Sequence, residues 1–236
     1  MSLVIDHPTR GRIKIKTFDE TTLQLEKKKS SLTKIVSVVQ SAIEVMQKKG
    51  ASQPLTGREA DFISAAEGWC NMAQYFASDG CDERELLQVA KIGQEVEGFT
   101  SLTAAPGEAF WVEELAVTPH NLTPTKSGIG TVLMASACLE GRRRGFDELN
   151  LHSLESAVGF YQRLDMQESK DNKKGLSTFS LNLSQSLPPK LEEVMSQIHA
   201  AKRVRTISQE EESPSKRRSI EPTPLLEAAR AKSDQE

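Results

Sequence analysis

Trp111-Val112-Glu113-Glu114-Leu115-Ala116-Val117-Thr118-Pro119, followed by Gly128-Ile129-Gly130-Thr131, is the stretch on which the reading of this chain turns. Phe110 to Val117 predicts a strand that stops at Pro119, because proline has no N–H to give a ladder. Gly128 to Arg144 predicts a helix ended by Gly145. A strand that feeds a glycine-rich turn and then a helix leaves backbone N–H groups unpaired at the positive end of the helix dipole. That arrangement suits a pyrophosphate. Glycine has no Cβ to hold an anion away, and Lys126 adds a positive charge beside the turn. A helix start that merely needs a tight turn would use the same glycines.

Outward from this stretch, Glu148 to Ser153 predicts a strand, Glu155 to Leu164 a helix, and Leu176 to Leu183 a last strand. Upstream, Glu85 to Ile92 and Glu95 to Ala104 form a hairpin across Gly93-Gln94, where Gly93 supplies the positive φ of a tight turn, and Pro106-Gly107 makes the next turn. Thr56 with Glu59 three residues on is a capping box, opening a helix through Ala60, Phe62, Ile63, Ala66 and Trp69 towards Tyr75, closed by Gly80. From Ser31 to Lys49, Leu32, Ile35, Val36, Val39, Ile43 and Met46 recur at three and four, one face of a helix ended by Gly50. Arg12 to Thr22 alternates as a first strand, with turn chemistry at Asp19 and Thr21. The order is strand, two helices, three strands, helix, strand, helix, strand. It predicts an α/β chain, a mixed sheet with helices on both faces.

Composition sets outer bounds. Hydrophobic residues are 37% of the chain, enough for a core, while a mean hydropathy of -0.44 implies that part of it never packs. That part is placed at the C-terminus: a helix over 188–205 behind Pro188-Pro189, then a disordered charged tail over 206–236. The net charge of -3 gives no global field for nucleic acid or an anionic membrane, and neither partner is expected. Cys70, Cys81 and Cys138 match no zinc or redox spacing, so reduced thiols and no metal are expected. With neither a signal peptide nor a run of apolar residues long enough to span a membrane, the expected compartment is cytoplasmic.

The residues Glu113-Glu114-Leu115-Ala116-Val117-Thr118-Pro119, the Gly128/Gly130 turn and Phe160-Tyr161-Gln162-Arg163 resemble, in order and spacing, the coenzyme A-binding segments of the GNAT superfamily of acyl-CoA-dependent N-acyltransferases. The hairpin around Gly93 resembles that family's second and third strands. The likeness covers about residues 10–184, the expected GNAT-like domain, and is specific from Glu85 to Met166. It implies a central splayed sheet. It also implies acetyl-CoA, or another acyl-CoA, held by Leu115, Ala116 and Val117 along the pantetheine and by Lys126, Ser127, Gly128, Ile129, Gly130 and Thr131 around the pyrophosphate. An amide of Leu115 or Ala116 would stabilise the oxyanion.

An amine with a pKa near 10 arrives protonated and needs a base before it attacks a thioester. Glu113 is the first candidate, by its likeness to the base of polyamine-type members, and Glu114 the second, because neighbouring strand residues face opposite ways unless a bulge reverses the parity. Tyr161 matches the family tyrosine that protonates the leaving thiolate. The chain departs from the pattern at Thr125, Leu154 and Asp165-Met166, where relatives carry Arg or Gln, Asn, and Gly-Phe. The implied activity is transfer of an acetyl or short acyl group to an amine-bearing small molecule or a protein lysine in a ternary complex. The alternative is a catalytically impaired GNAT-like domain that binds a cofactor or protein partner. The tail, with Lys216-Arg217-Arg218-Ser219 and Glu210-Glu211-Glu212, is the candidate contact for a protein partner, and its acidic cluster resembles secretion signals of bacterial effectors. Arg142, Arg143 and Arg144 are read as complementing the helix dipole, and His152 as a structural histidine.

Overall fold

A computed structural model describes residues 2–7, 11–24, 26–79, 81–105, 109–118, 128–169 and 176–198. Among these described residues, eight strands form one sheet in the order β1-β2-β3-β4-β5-β6-β8-β7. They are β1 Ser2–His7, β2 Gly11–Phe18, β3 Glu85–Ile92, β4 Glu95–Ala104, β5 Phe110–Val117, β6 Glu148–Ser153, β7 Gln167–Ser169 and β8 Ser177–Asn182. Neighbours are antiparallel except β5 and β6, which run parallel. The α/β expectation holds, with helices on both faces of a mixed sheet.

On one face lie α1 Glu20–Leu23, α2 Glu26–Ser52 and α3 Gly57–Ser78. The apolar stripe predicted for α2 is the buried one: Leu32, Ile35, Val36 and Val39 join Phe62, Trp69 and Phe76 of α3 against Leu87, Val89 and Phe99 of the sheet. Thr56 caps α3 in the predicted box, its hydroxyl accepting from the Glu59 amide. Glu59 also takes the Lys49 ammonium, which holds its carboxyl down to about 2 and ties the end of α2 to the start of α3.

The opposite face carries α4 Ile129–Arg143, α5 Val158–Gln162 and α6 over residues 189–198. Leu133 and Met134 of α4 and Leu191, Met195 and Ile198 of α6 close over Leu86, Leu102, Phe110, Leu149 and Leu181. The three arginines ending α4 act as ties. Arg142 donates to the carbonyls of Leu183 and Gln185, and Arg144 to that of Glu83. Burial raises the Glu140 carboxyl, but hydrogen bonds from Arg143 and Arg144 outweigh it and hold that group below its ordinary range.

Several boundaries differ from the sequence reading. The sheet has a strand, β1, ahead of residue 10, and its side chains Leu3, Val4 and Ile5 are all buried, so no alternation announces it. Asp19 caps α1 in a box with Thr22 instead of making a turn. Gly50 does not stop α2, which continues to Ser52. The predicted helix over Glu155 to Leu164 is a 3-10 turn, Glu155–Ala157, joined to the short α5. A strand, β7, lies between that helix and the last strand. Of the expected helix over 188–205, residues 189–198 are helical and the rest falls outside the described residues, as do Gly80, Pro106, Gly107, Pro119, Thr125, Lys126, Ser127 and the tail.

Candidate functional site

The site begins with β5 parting from its neighbour. Pairing of β5 with β6 runs over three residues, Phe110, Trp111 and Val112, and ends there. From Glu114 to Val117 the strand keeps its ladder with β4 on one side while its other edge faces a cleft. Backbone groups on an unpaired edge offer a ready set of donors and acceptors to an extended ligand.

The same residues carry a bulge. Ser101 of β4 faces Glu114 and Leu102 faces Val112, so Glu113 is the extra residue. Phe110 and Val112 lie in the core beneath α4, and strict alternation would send Glu114 and Ala116 there too. Instead Leu115 and Val117 pack towards that core, and Ala116 joins the core under α2 and α3. Glu114 is thereby turned towards α3: a Cβ at Gly68 would lie 2.6 Å from its Oε1, so the helix approaches the carboxylate only because residue 68 is glycine. The Thr100 hydroxyl donates to the Glu114 carbonyl at 2.6 Å and fixes the bulge from β4.

Burial, and then the charge of Glu113, push the Glu114 carboxyl up to about 7. Glu113 itself is exposed. Across the cleft, Tyr161 is buried on α5, its ring 5.0 Å from Phe160 and 5.4 Å from Phe179. Burial, followed by the charge of Glu114, raises the phenol above its ordinary range, so Tyr161 keeps its proton throughout the working pH range.

The third wall is the start of α4. Gly128 is its N-cap with φ of 65°, a conformation that favours glycine. The first-turn amides of a helix have no acceptor inside it, and Gly128, Gly130 and Thr131 line the cleft. Gly130 has a second reason to lack a side chain: a Cβ there would meet the Phe160 ring at 3.1 Å. That glycine admits an aromatic ring, a reason the local sequence does not record.

The cleft enclosed by β5, α3, α4 and α5 has a volume of about 1060 Å³. Of the residues singled out from the sequence, Glu113, Glu114, Leu115, Ala116, Val117, Gly128, Gly130, Thr131 and Tyr161 line it. Ile129 does not, its side chain being fully buried under the sheet. Lys126 and Ser127 lie outside the described residues.

The cleft also holds residues that sequence reasoning passed over. Asp61 of α3 accepts from the Ser156 hydroxyl, which links α3 to the turn before α5, and Arg58 and Lys190 complete the rim. None of them belongs to a local pattern. His152 lines the cleft too, held by Thr178 at 3.1 Å and packed on Trp111 at 5.1 Å. Asp165 has φ of 54°, the left-handed conformation that favours glycine, at the position where the resemblance expects Gly.

No family model matches the sequence. No curated protein matches it either. Among solved structures, the GNAT domain of PAT from S. lividans superposes with a TM-score of 0.51 at 11% identity, over 77% of this chain and 96% of that one. The chain has the GNAT fold. Two other GNAT structures align with lower scores. PaiA N-acetyltransferase from Thermoplasma acidophilum, in complex with coenzyme A, gives a TM-score of 0.46 at 17% identity over 72% and 98% of the two chains. A GNAT family acetyltransferase from Elizabethkingia anophelis, with acetyl-CoA bound, gives 0.37 at 19% identity over 48% and 81%.

Proposed function

We propose that this chain transfers an acetyl or other short acyl group from an acyl-CoA to an amine, by direct attack within a ternary complex. The observation that carries the reading is the parting of β5 from β6 after Val112, because it brings an open strand edge, a helix start, Glu114 and Tyr161 to one cleft. The residues fit such a donor. The edge of Glu113 to Val117 suits the amide-bearing pantetheine, and the first-turn amides of Gly130 and Thr131 suit a diphosphate. Acyl-CoA would supply the thioester carbonyl.

The chain's own groups then divide the proton work. Glu114, with its carboxyl near 7, is ionised at slightly alkaline pH yet basic enough to draw a proton from an ammonium group. It takes the base role in preference to Glu113, whose exposed carboxyl lacks that environment. As the N–C bond forms, an amide of Leu115 or Ala116 on the open edge meets the negative charge gathering on the carbonyl oxygen. As the C–S bond breaks, Tyr161 gives its proton to the departing sulfur and regains one from the second proton that the acylated nitrogen sheds, directly or through water. The acceptor enters on the α3 side, where the carboxylates of Asp61, Glu113 and Glu114 outnumber the Arg58 guanidinium and favour a cation.

Calorimetry with acetyl-CoA, then thiol release with a panel of small amines and lysine peptides, tests the reading. Saturable binding and acceptor-dependent release are expected. Absence of binding at millimolar ligand would end it.

A further inference from the structure

The cleft carries both signs of charge, with Arg58 standing on α3 beside Asp61. Carboxylates of Asp61, Glu113 and Glu114 gather beside α3, whereas the wall formed by α5 and α6 carries two cations, Arg163 and Lys190. Their backbones are set by α5 and α6. Arg163 closes α5, and its Nη1 lies 3.4 Å from where a Cβ on Gly159 would stand, so the guanidinium folds back along the helix face that lines the cleft. Lys190 comes from α6, behind the last strand, next to the fully buried Leu191, which lies one turn from the buried Met195. Its Nζ donates to the Arg163 carbonyl at 3.1 Å, which locks the two cationic residues together. Both side chains are exposed, and among the described residues no carboxylate is within ion-pair distance of either.

Resting on the acyl-CoA reading above, we propose that Lys190 and Arg163 form a subsite for a phosphate monoester, the 3′-phosphate of the donor's ribose, and so select free CoA thioesters as donors. The donor's charges have to be distributed along one cleft. Its thioester belongs beside Glu114 and Tyr161, and its diphosphate at the Gly130 and Thr131 amides. The charge left over is the ribose phosphate, and of the three described cations lining the cleft, Arg58 stands on α3 with Asp61, which leaves Arg163 and Lys190 as the joined pair on the α5 and α6 wall. Arginine offers a planar fork and lysine a mobile point charge, a pairing suited to a terminal dianion. A phosphopantetheine borne on a carrier protein ends in a single phosphodiester and has no such group, so this subsite would give it nothing.

The test compares coenzyme A with 3′-dephospho-coenzyme A by calorimetry, on the full chain, its Lys190→Met and Lys190→Arg variants, and Lys48→Met on exposed α2 as a charge control. The unaltered chain and Lys48→Met should favour coenzyme A by about tenfold, or ~1.4 kcal/mol, and less so at high salt. Lys190→Met should reduce that preference to within about twofold by weakening coenzyme A alone, and Lys190→Arg should restore it. Equal binding of the two ligands by the unaltered chain, or equal weakening of both by Lys190→Met, overturns the subsite and leaves the acyl-CoA reading standing. Binding of neither ligand overturns both.

Discussion

Glu114→Gln should make the protein more stable and inactive at once. The folded carboxyl sits near 7, against an ordinary 4.5, because burial and the charge of Glu113 disfavour its ionised form. Between those values the folded state holds a proton that the unfolded chain has released, so this residue's contribution to stability falls as pH rises, and the full penalty is present above pH 7. A shift of about 2.5 units corresponds to roughly 3 kcal/mol at most, and discounting for the part of the side chain that water reaches leaves about 1–2 kcal/mol. Glutamine keeps the shape without the charge. Urea denaturation at pH 8 should therefore place the variant about 1–2 kcal/mol above the parent, with the gap closing towards pH 4.5. A gap that is absent at pH 8, or that persists unchanged at pH 4.5, refutes the claim that Glu114 is buried as a reluctant anion.

Thiol release at saturating donor and acceptor should rise with pH through about 7, as Glu114 ionises, and Glu114→Gln should abolish that limb. Tyr161→Phe keeps the ring contacts with Phe160 and Phe179, so it should fold normally while turnover drops by roughly a hundredfold, measured by steady-state release and thermal melting together. Gly68→Ala brings a methyl to 2.6 Å from the Glu114 Oε1, a contact the flexible carboxylate can escape by swinging away; the variant should melt near the parent temperature yet lose much of its rate and shift its pH limb.

Where local chemistry and burial pattern agree, sequence and structure coincide. The bounds of β3, β4, β5 and β6 match those read from alternation and turn residues, and the Thr56/Glu59 box marks the start of α3. Each of these signals lies within a few residues. The strand β1 escaped because neighbours cover its side chains on both faces, which erases the alternation that makes a strand visible. The bulge at Glu113 escaped for a different reason: it is a property of the pairing with β4, and the strand alone does not record it. It changes which carboxylate faces α3, so the order of Glu113 and Glu114 was not legible from either residue. Asp61, Ser156 and Lys190 line one cleft only in the folded chain, because they come from α3, the turn before α5 and α6.

The short β5–β6 junction has a mechanical consequence. A sheet of eight strands is joined across its middle by only three residue pairs, so this line is a seam between two leaves. An extended molecule lying along Glu113 to Val117 would act as a splice, supplying backbone bonds that the ladder leaves unmade. Occupancy should then stiffen the junction, and slowed amide exchange on both strands would follow from closing that gap.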